Sequence, residues 1–116
     1  MGEFVEVLGV NDLKDGELRG LTVRGRALLV AKVAGRLYAA DDRCPHMGAR
    51  LSKGRLDGTV VICPRHHSRF DLSDGRFVQW TDWVGWLARL AKTVRSPRAI
   101  VTHRVKVEGG KVWVEI

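Results

Sequence analysis

Two short pairs of cysteine and histidine carry the side chains best suited to hold metal. They are Cys44-Pro45-His46 and Cys63-Pro64-Arg65-His66, separated by the sixteen residues from Met47 to Ile62. Each pair offers one thiolate sulfur and one imidazole nitrogen. Two sulfurs and two nitrogens satisfy either a tetrahedral zinc ion or two irons bridged by two sulfides. Two cysteines are too few for a disulfide framework, so the pattern predicts a metal site but leaves the metal open.

The residues around the two pairs narrow this choice. Gly48 stands two residues after His46, and the second pair is followed by Arg69-Phe70-Asp71 and Asp74-Gly75. This arrangement resembles the signature of the Rieske [2Fe-2S] family. The resemblance extends from about Phe4 to Gly75, resumes at Ser96-Pro97 and continues to the end of the chain.

The resemblance implies a role for particular residues. It assigns Cys44 and Cys63 to a buried iron and His46 and His66 to an iron nearer the surface. Ser68 matches a serine that donates a hydrogen bond to a bridging sulfide in the family. Arg65 adds a cation beside the ligands, and Pro97 matches one of the prolines that cover the cluster loops.

The resemblance to the Rieske family also predicts a low to intermediate reduction potential. Two thiolates and two neutral imidazoles give the cluster less negative charge than four thiolates would, and potentials of such sites span about −150 to +300 mV. Respiratory members at the high end carry one further cysteine in each pair, which form a disulfide. Ala49 and Arg65 occupy those positions here, so that disulfide cannot form.

The rest of the chain is expected to be all-β. Short alternating or β-branched runs are separated by turn residues, which is typical of an antiparallel sandwich or barrel. The turns Lys14-Asp15-Gly16, Arg24-Gly25, Ala34-Gly35, Asp57-Gly58 and Gly109-Gly110 predict tight hairpins. The predicted strands are Phe4–Val10, Glu17–Val23, Arg26–Ala34, Leu37–Asp41, Arg55–Leu56, Thr59–Ile62, Thr102–Val107 and Lys111–Ile116. The resemblance adds a cluster-binding subdomain of two loops. His103 lies on a predicted strand and is interpreted as structural.

One segment departs from the β pattern. From Trp80 to Arg95, apolar residues recur at steps of three and four, which predicts a short inserted amphipathic helix. We consider three roles for this helix: it caps the β domain, it docks on a partner protein, or it lies at a membrane interface. No linker is visible, so we expect one domain over residues 1–116, with the cluster-binding part at about 42–75 and the helix at about 80–95.

Composition bears on partners and location. Twenty Lys and Arg against thirteen Asp and Glu give a net charge of +7, which favours an acidic partner surface. The sequence has no long basic block of the kind that binds nucleic acid. Neither a secretion signal nor an apolar run long enough to span a bilayer is visible, so a cytoplasmic location is expected.

These features predict a one-electron carrier and not an enzyme, because nothing resembles the mononuclear iron site of a Rieske oxygenase. The expected partners are a reductase as electron donor and a terminal oxygenase or oxidase as acceptor, with an acidic docking face. The alternative is a Rieske electron-transfer subunit of a stable oxidoreductase or respiratory complex. A third possibility is a regulatory module that senses oxidants.

Overall fold

Eleven short β-strands make up most of the computed structural model, which describes residues 2–44, 49–64, 68–79 and 99–116. The strands are β1 (Phe4–Gly9), β2 (Leu18–Val23), β3 (Arg26–Val33), β4 (Arg36–Asp41), β5 (Arg55–Asp57), β6 (Val60–Ile62), β7 (Arg69–Asp71), β8 (Phe77–Gln79), β9 (Thr102–His103), β10 (Val105–Glu108) and β11 (Lys111–Glu115). One 3-10 turn, Leu51–Lys53, precedes β5. The prediction of an all-β protein is confirmed.

The strands form three antiparallel sheets within the described ranges. The first has the order β1-β11-β10, the second β2-β3-β4-β9, and the third β5-β6-β7-β8. Sequence neighbours pair in most cases, as hairpins require. Two pairings join strands that are far apart in the sequence, β1 with β11 and β4 with β9. They bring the last strands of the chain against strands from its first third.

Three hairpins have the two-residue turns expected from the sequence. In each turn both residues have positive φ, as at Ala34 (51°) and Gly35 (79°) or at Gly109 (63°) and Gly110 (74°). Two positive φ values define the type I′ geometry, whose twist matches that of the flanking strands. Arg24 and Gly25 repeat the pattern between β2 and β3, so these turn predictions are confirmed. The turn at Asp57-Gly58 also joins paired strands, β5 and β6. The hairpin predicted at Lys14-Asp15-Gly16 is wrong, because β1 pairs with β11 and β2 pairs with β3.

The second sheet lies between two apolar cores. Its strand β3 is fully buried from Leu28 to Ala31, and alternate residues face opposite sides. Leu28 and Val30 enter a base core shared with the first sheet, whereas Leu29 and Ala31 enter a second core. That second core contains Cys44 and Cys63 and is called the cysteine core below. Its other buried members are Ala40, Leu51, Val61, Phe70, Leu72 and Ile100.

The structure corrects the prediction of a single strand from Thr102 to Val107. This segment is divided at Arg104 into β9, which pairs with β4, and β10, which pairs with β11. The Arg104 carbonyl still accepts a hydrogen bond from the Glu115 amide at 2.9 Å. The chain therefore passes from the second sheet to the first while remaining extended, and an alternating sequence does not reveal such a change of sheet.

Gly75 connects the third sheet to the end of the chain. Its amide donates to the Asp71 carbonyl at 2.7 Å, and its own carbonyl accepts from the Ile100 amide at 2.9 Å. Its φ of +80° lies in the left-handed region, and a Cβ there would collide with the Ile100 carbonyl oxygen. Glycine is the residue that fits both conditions.

The helix predicted at about 80–95 lies outside the described residues. In the part of the chain that the structure describes, no helix has the length and apolar character needed to cross a bilayer. The partition into one domain over residues 1–116 stays a prediction.

Candidate metal centre

The first cysteine lies at the start of a loop that follows β4. Cys44 is buried, with 1% of its surface exposed, and it packs in the cysteine core. Its amide donates to the Ala49 carbonyl at 2.8 Å, which closes the loop five residues further on. The intervening residues, His46 among them, lie outside the described ranges.

Asp42 anchors the two ends of the same loop. Its side chain is fully buried, and its two carboxylate oxygens accept hydrogen bonds from the Ser52 amide at 2.7 Å and the Ser52 hydroxyl at 2.5 Å. The Arg50 guanidinium lies 3.9 Å from the same carboxylate. The Asp42 amide in turn donates to the Ala27 carbonyl in β3. These contacts tie both ends of the first loop to each other and to the second sheet.

The second cysteine occupies an equivalent position after β6. Cys63 is fully buried, and its amide donates to the Ser68 carbonyl at 2.8 Å, again five residues on. The two cysteines therefore begin loops closed by the same type of hydrogen bond, and both side chains pack in one core. His66 and Arg65 lie in the part of this loop outside the described ranges, as does Pro97.

Ser68 is the buried polar side chain that most directly suggests a missing acceptor. It has no exposed surface, and among the described residues its hydroxyl has no hydrogen-bond partner. Burying an unsatisfied hydroxyl costs about 1–3 kcal/mol. A sulfide of an iron-sulfur cluster held by Cys63 would supply such an acceptor, so the donor set and the orphan hydroxyl fit a [2Fe-2S] group.

Asp71 holds the strand that follows the second loop. Its carboxylate accepts from the Ser73 amide at 3.0 Å, the Ser73 hydroxyl at 2.7 Å and the Thr59 hydroxyl at 3.0 Å. The Ser73 bonds, with smaller contributions from Thr59 and the Arg76 guanidinium, hold the pKa of Asp71 below its usual value although burial opposes them. This network fixes the turn between β7 and β8.

His103 has a structural role, as the sequence suggested. Its Nε2 lies 2.8 Å from the Asp41 carboxylate, which also contacts Arg26 at 3.2 Å. The contact joins β9 to the end of β4, immediately before the first loop. It therefore holds the strand end that leads into the loop.

The structure thus brings together Cys44, Cys63 and Ser68 from the predicted set. In the described ranges, no three metal-ligating side chains converge, since both predicted histidine ligands fall in the gaps. The loop anchor Asp42 was not anticipated from the sequence. Its partner Ser52 is ten residues away, so no local motif signals the contact.

Comparison with known proteins identifies the family. The sequence pattern of the Rieske [2Fe-2S] domain matches residues 3–90. The chain belongs to the Rieske [2Fe-2S] domain family.

Three individual proteins illustrate the similarity. The ferredoxin component of the naphthalene 1,2-dioxygenase system of Pseudomonas aeruginosa is 32% identical over 114 residues, which are 98% of this chain and 96% of the relative. The ferredoxin component of the alkene monooxygenase system of Xanthobacter autotrophicus is 40% identical over 114 residues, 97% of this chain and 80% of the relative. Among solved structures, a chain in the complex of reduced oxygenase and oxidized ferredoxin in carbazole 1,9a-dioxygenase matches with a TM-score of 0.77 at 28% identity, over 95% of this chain and 99% of that one.

Proposed function

We propose that this chain is a one-electron carrier that relays electrons from a reductase to a terminal oxygenase, with a [2Fe-2S] cluster ligated by Cys44, His46, Cys63 and His66. The observation that carries the proposal is the pair of equivalent loops, each beginning at a buried cysteine whose amide bonds the carbonyl five residues on. The two sulfurs share one core, and the orphan Ser68 hydroxyl lies buried in the same region.

The residues of the chain have distinct tasks in this role. When bound, a Rieske cluster supplies one-electron redox chemistry at about −150 to +300 mV. Cys44 and Cys63 hold the inner side of the site within an apolar core that excludes water. Ser68 offers a buried hydrogen-bond donor, which stabilises added negative charge. Asp42 fixes the first loop, so the ligands keep their positions when charge is gained or lost.

The similar proteins support the choice of partners. Their names describe ferredoxin components of dioxygenase and monooxygenase systems, and one solved structure is a ferredoxin in complex with its oxygenase. We therefore assign a reductase as donor and an oxygenase as acceptor, and we assign no catalytic residue to this chain. A cytoplasmic location suits two cysteines that serve as ligands, because thiols stay reduced there.

Adjacent histidines provide a test of the ligand set with a matched control. His66→Ala should abolish the visible spectrum and the electron paramagnetic resonance signal of a Rieske cluster, whereas His67→Ala should retain both. Electron relay is then measured by oxygenase turnover with purified reductase and oxygenase. Loss of the cluster in His67→Ala with retention in His66→Ala would refute the assignment. A colourless protein with stoichiometric zinc would refute the cofactor.

A further inference from the structure

The positive charge of the chain is concentrated around the proposed metal site. Residues 43–69 contain six Lys or Arg and one Asp, a net +5 out of the total of +7. Of the acidic residues that flank this segment, Asp42 and Asp71 are buried and engaged by hydroxyl and amide donors, and the partly buried Asp41 contacts Arg26 and His103. The exposed surface there is therefore more cationic than a count of sequence charges suggests.

The register of the third sheet orders these charges by distance from Cys63. Ile62 directly precedes Cys63 and pairs with Arg55 on one neighbouring strand and with Arg69 on the other. These residues form a cationic row across the sheet. Two residues further away, Val60 pairs with Asp57 and Asp71. Because a strand advances about 3.3 Å per residue, the backbone of the cationic row lies about 7 Å closer to the cysteine than that of the acidic row. The Arg69 guanidinium lies 3.6 Å from the Asp57 carboxylate, so Arg55 is the cation of this row that has no ion pair among the described residues.

Four exposed cations surround the loops and are called the cationic rim: Arg43, Arg50, Lys53 and Arg55. Within the described part of the chain, Arg43, Lys53 and Arg55 make no ion pair, and Arg50 reaches only the buried Asp42 at 3.9 Å. Their charges are thus available to a partner.

Two cavities bring the rim close to the cysteines. Lys53 and Arg55 border a cavity of about 220 Å³ whose lining includes Cys63 and Pro64. Arg43 and Arg50 border another of about 390 Å³ beside the first loop, and its lining also contains Arg26, Asp41 and the buried Asp42. Cations therefore flank both loops.

We propose that the cationic rim docks a surface of the redox partner protein that presents aspartate and glutamate carboxylates. The inference rests on the proposed function, because an electron partner must approach the end of the molecule that carries the ligands. Charges arranged around that end orient the encounter as well as accelerate it.

The side chains beside the cations favour a protein partner over a membrane or a nucleic acid. Membrane interfaces and single strands require aromatic or large apolar side chains beside the basic ones. The exposed large apolar residues of the described chain are Val78, Val101 and Val107, and none belongs to the rim or borders its two cavities. Separated guanidinium and ammonium groups instead match individual carboxylates.

The test compares two charge reversals of equal size. The rim variant is K53E/R55E, and the remote variant is K14E/R36E; each lowers the net charge from +7 to +3. Arg36 begins β4, at the opposite end of that strand from the first loop, and Lys14 lies next to Asp15, which bonds the same hairpin at Gly35. Intact spectra and measured potentials establish that both variants hold the cluster.

The first measurement uses small oxidants and needs no partner. At low ionic strength, oxidation of the reduced protein by ferricyanide should slow about tenfold in the rim variant and much less in the remote variant. Oxidation by the cationic tris(phenanthroline)cobalt(III) should change in the opposite direction. Both effects should disappear in about 0.5 M NaCl, where screening is nearly complete.

The second measurement uses the reductase and oxygenase that support turnover with the unmodified protein. The rim variant should transfer electrons about tenfold more slowly to at least one of them at low salt, and the remote variant should remain near the original rate. Equal rates in both variants, or faster transfer in the rim variant, would overturn the proposal. Rim-dependent binding to phosphatidylserine vesicles with unchanged electron transfer would also overturn it, in favour of a membrane surface.

Failure of the docking surface and failure of the carrier function give different results. If the proposed function is wrong, the unmodified protein supports no turnover or lacks the Rieske spectrum. If only the docking proposal is wrong, the unmodified protein works and the rim variant works equally well.

Discussion

Replacement of Ser68 by alanine tests whether the orphan hydroxyl serves the cluster. A hydrogen bond to a charged acceptor contributes about 1.5–3 kcal/mol. Reduction would add one negative charge to the cluster and would strengthen a hydrogen bond donated to it. If half of its value arises on reduction, the two redox states differ by about 0.75–1.5 kcal/mol. Because 59 mV corresponds to a factor of ten for one electron, the potential should fall by about 30–65 mV.

The apoprotein should respond differently to the same substitution. Without the cluster, the hydroxyl is buried and has no partner among the described residues. Its removal should leave the free energy of unfolding unchanged or raise it by about 1 kcal/mol. One substitution thus lowers the potential of the loaded protein without destabilising the empty one.

Ser73→Ala provides the matched control. The Ser73 hydroxyl donates to the Asp71 carboxylate at 2.7 Å, so its removal should cost about 1–2 kcal/mol of stability. The potential should not change. Spectroelectrochemistry measures the potentials, and urea unfolding of the apoproteins measures the stabilities. An unchanged potential in Ser68→Ala, or an equal fall in Ser73→Ala, would refute the reasoning.

Three further predictions concern stability. Asp42→Ala leaves the Ser52 amide and hydroxyl without their acceptor, so unfolding free energy should fall by about 2–4 kcal/mol and release of the cluster, followed by its absorbance, should accelerate. Asp71→Asn should cost about 1.5–3 kcal/mol at pH 7 in urea unfolding. Because the folded state lowers the pKa of Asp71, this stability is present above the ordinary carboxyl pKa of about 3.9 and is lost as pH falls through the folded value, so the difference from the parent should shrink below about pH 4. Ala34→Asn should raise the thermal midpoint, with a gain of about 0.5 kcal/mol, since Ala34 has a φ of 51° and asparagine tolerates that region better.

Each stability prediction has a contradictory outcome. Asp74→Ala removes an exposed carboxylate from the turn after β7, and a cluster-release rate equal to that of Asp42→Ala would show that the anchor is unimportant. A constant difference between Asp71→Asn and the parent from pH 7 to pH 3 would contradict the pKa argument. A lower thermal midpoint in Ala34→Asn would contradict the strain at that turn.

The hairpins were the most predictable part of the fold. Their signal is local, because two residues with positive φ must be glycine or tolerate the left-handed region. The strands β7 and β8 were not predicted. They are three residues each, and the single apolar residue between two charged ones in Arg69–Asp71 is too short a pattern to indicate a strand. Pairing with β6 stabilises β7, and that interaction is not encoded within the segment itself.

The candidate site also has one part that could be predicted from the sequence and one part that could not. Cys44 and Cys63 could be assigned from sequence because ligand chemistry depends on residue type and spacing within a loop. Their burial in one core, and the bond between Asp42 and Ser52, depend on how the first loop packs on the second and third sheets. Side chains that position a ligand are selected by tertiary contacts, so their types alone do not reveal them.

The potential and the choice of partner should be separable properties of this protein. Ser68 lies in a fully buried environment, where an interaction changes with the charge of the site and is little screened. The cationic rim is exposed, and none of its residues belongs to the cysteine core. Its charges act mainly on the approach of a partner and are screened by salt. Substitution of Ser68 should therefore change the driving force without salt dependence, whereas reversal of Lys53 and Arg55 should change the rate of association in a salt-dependent manner.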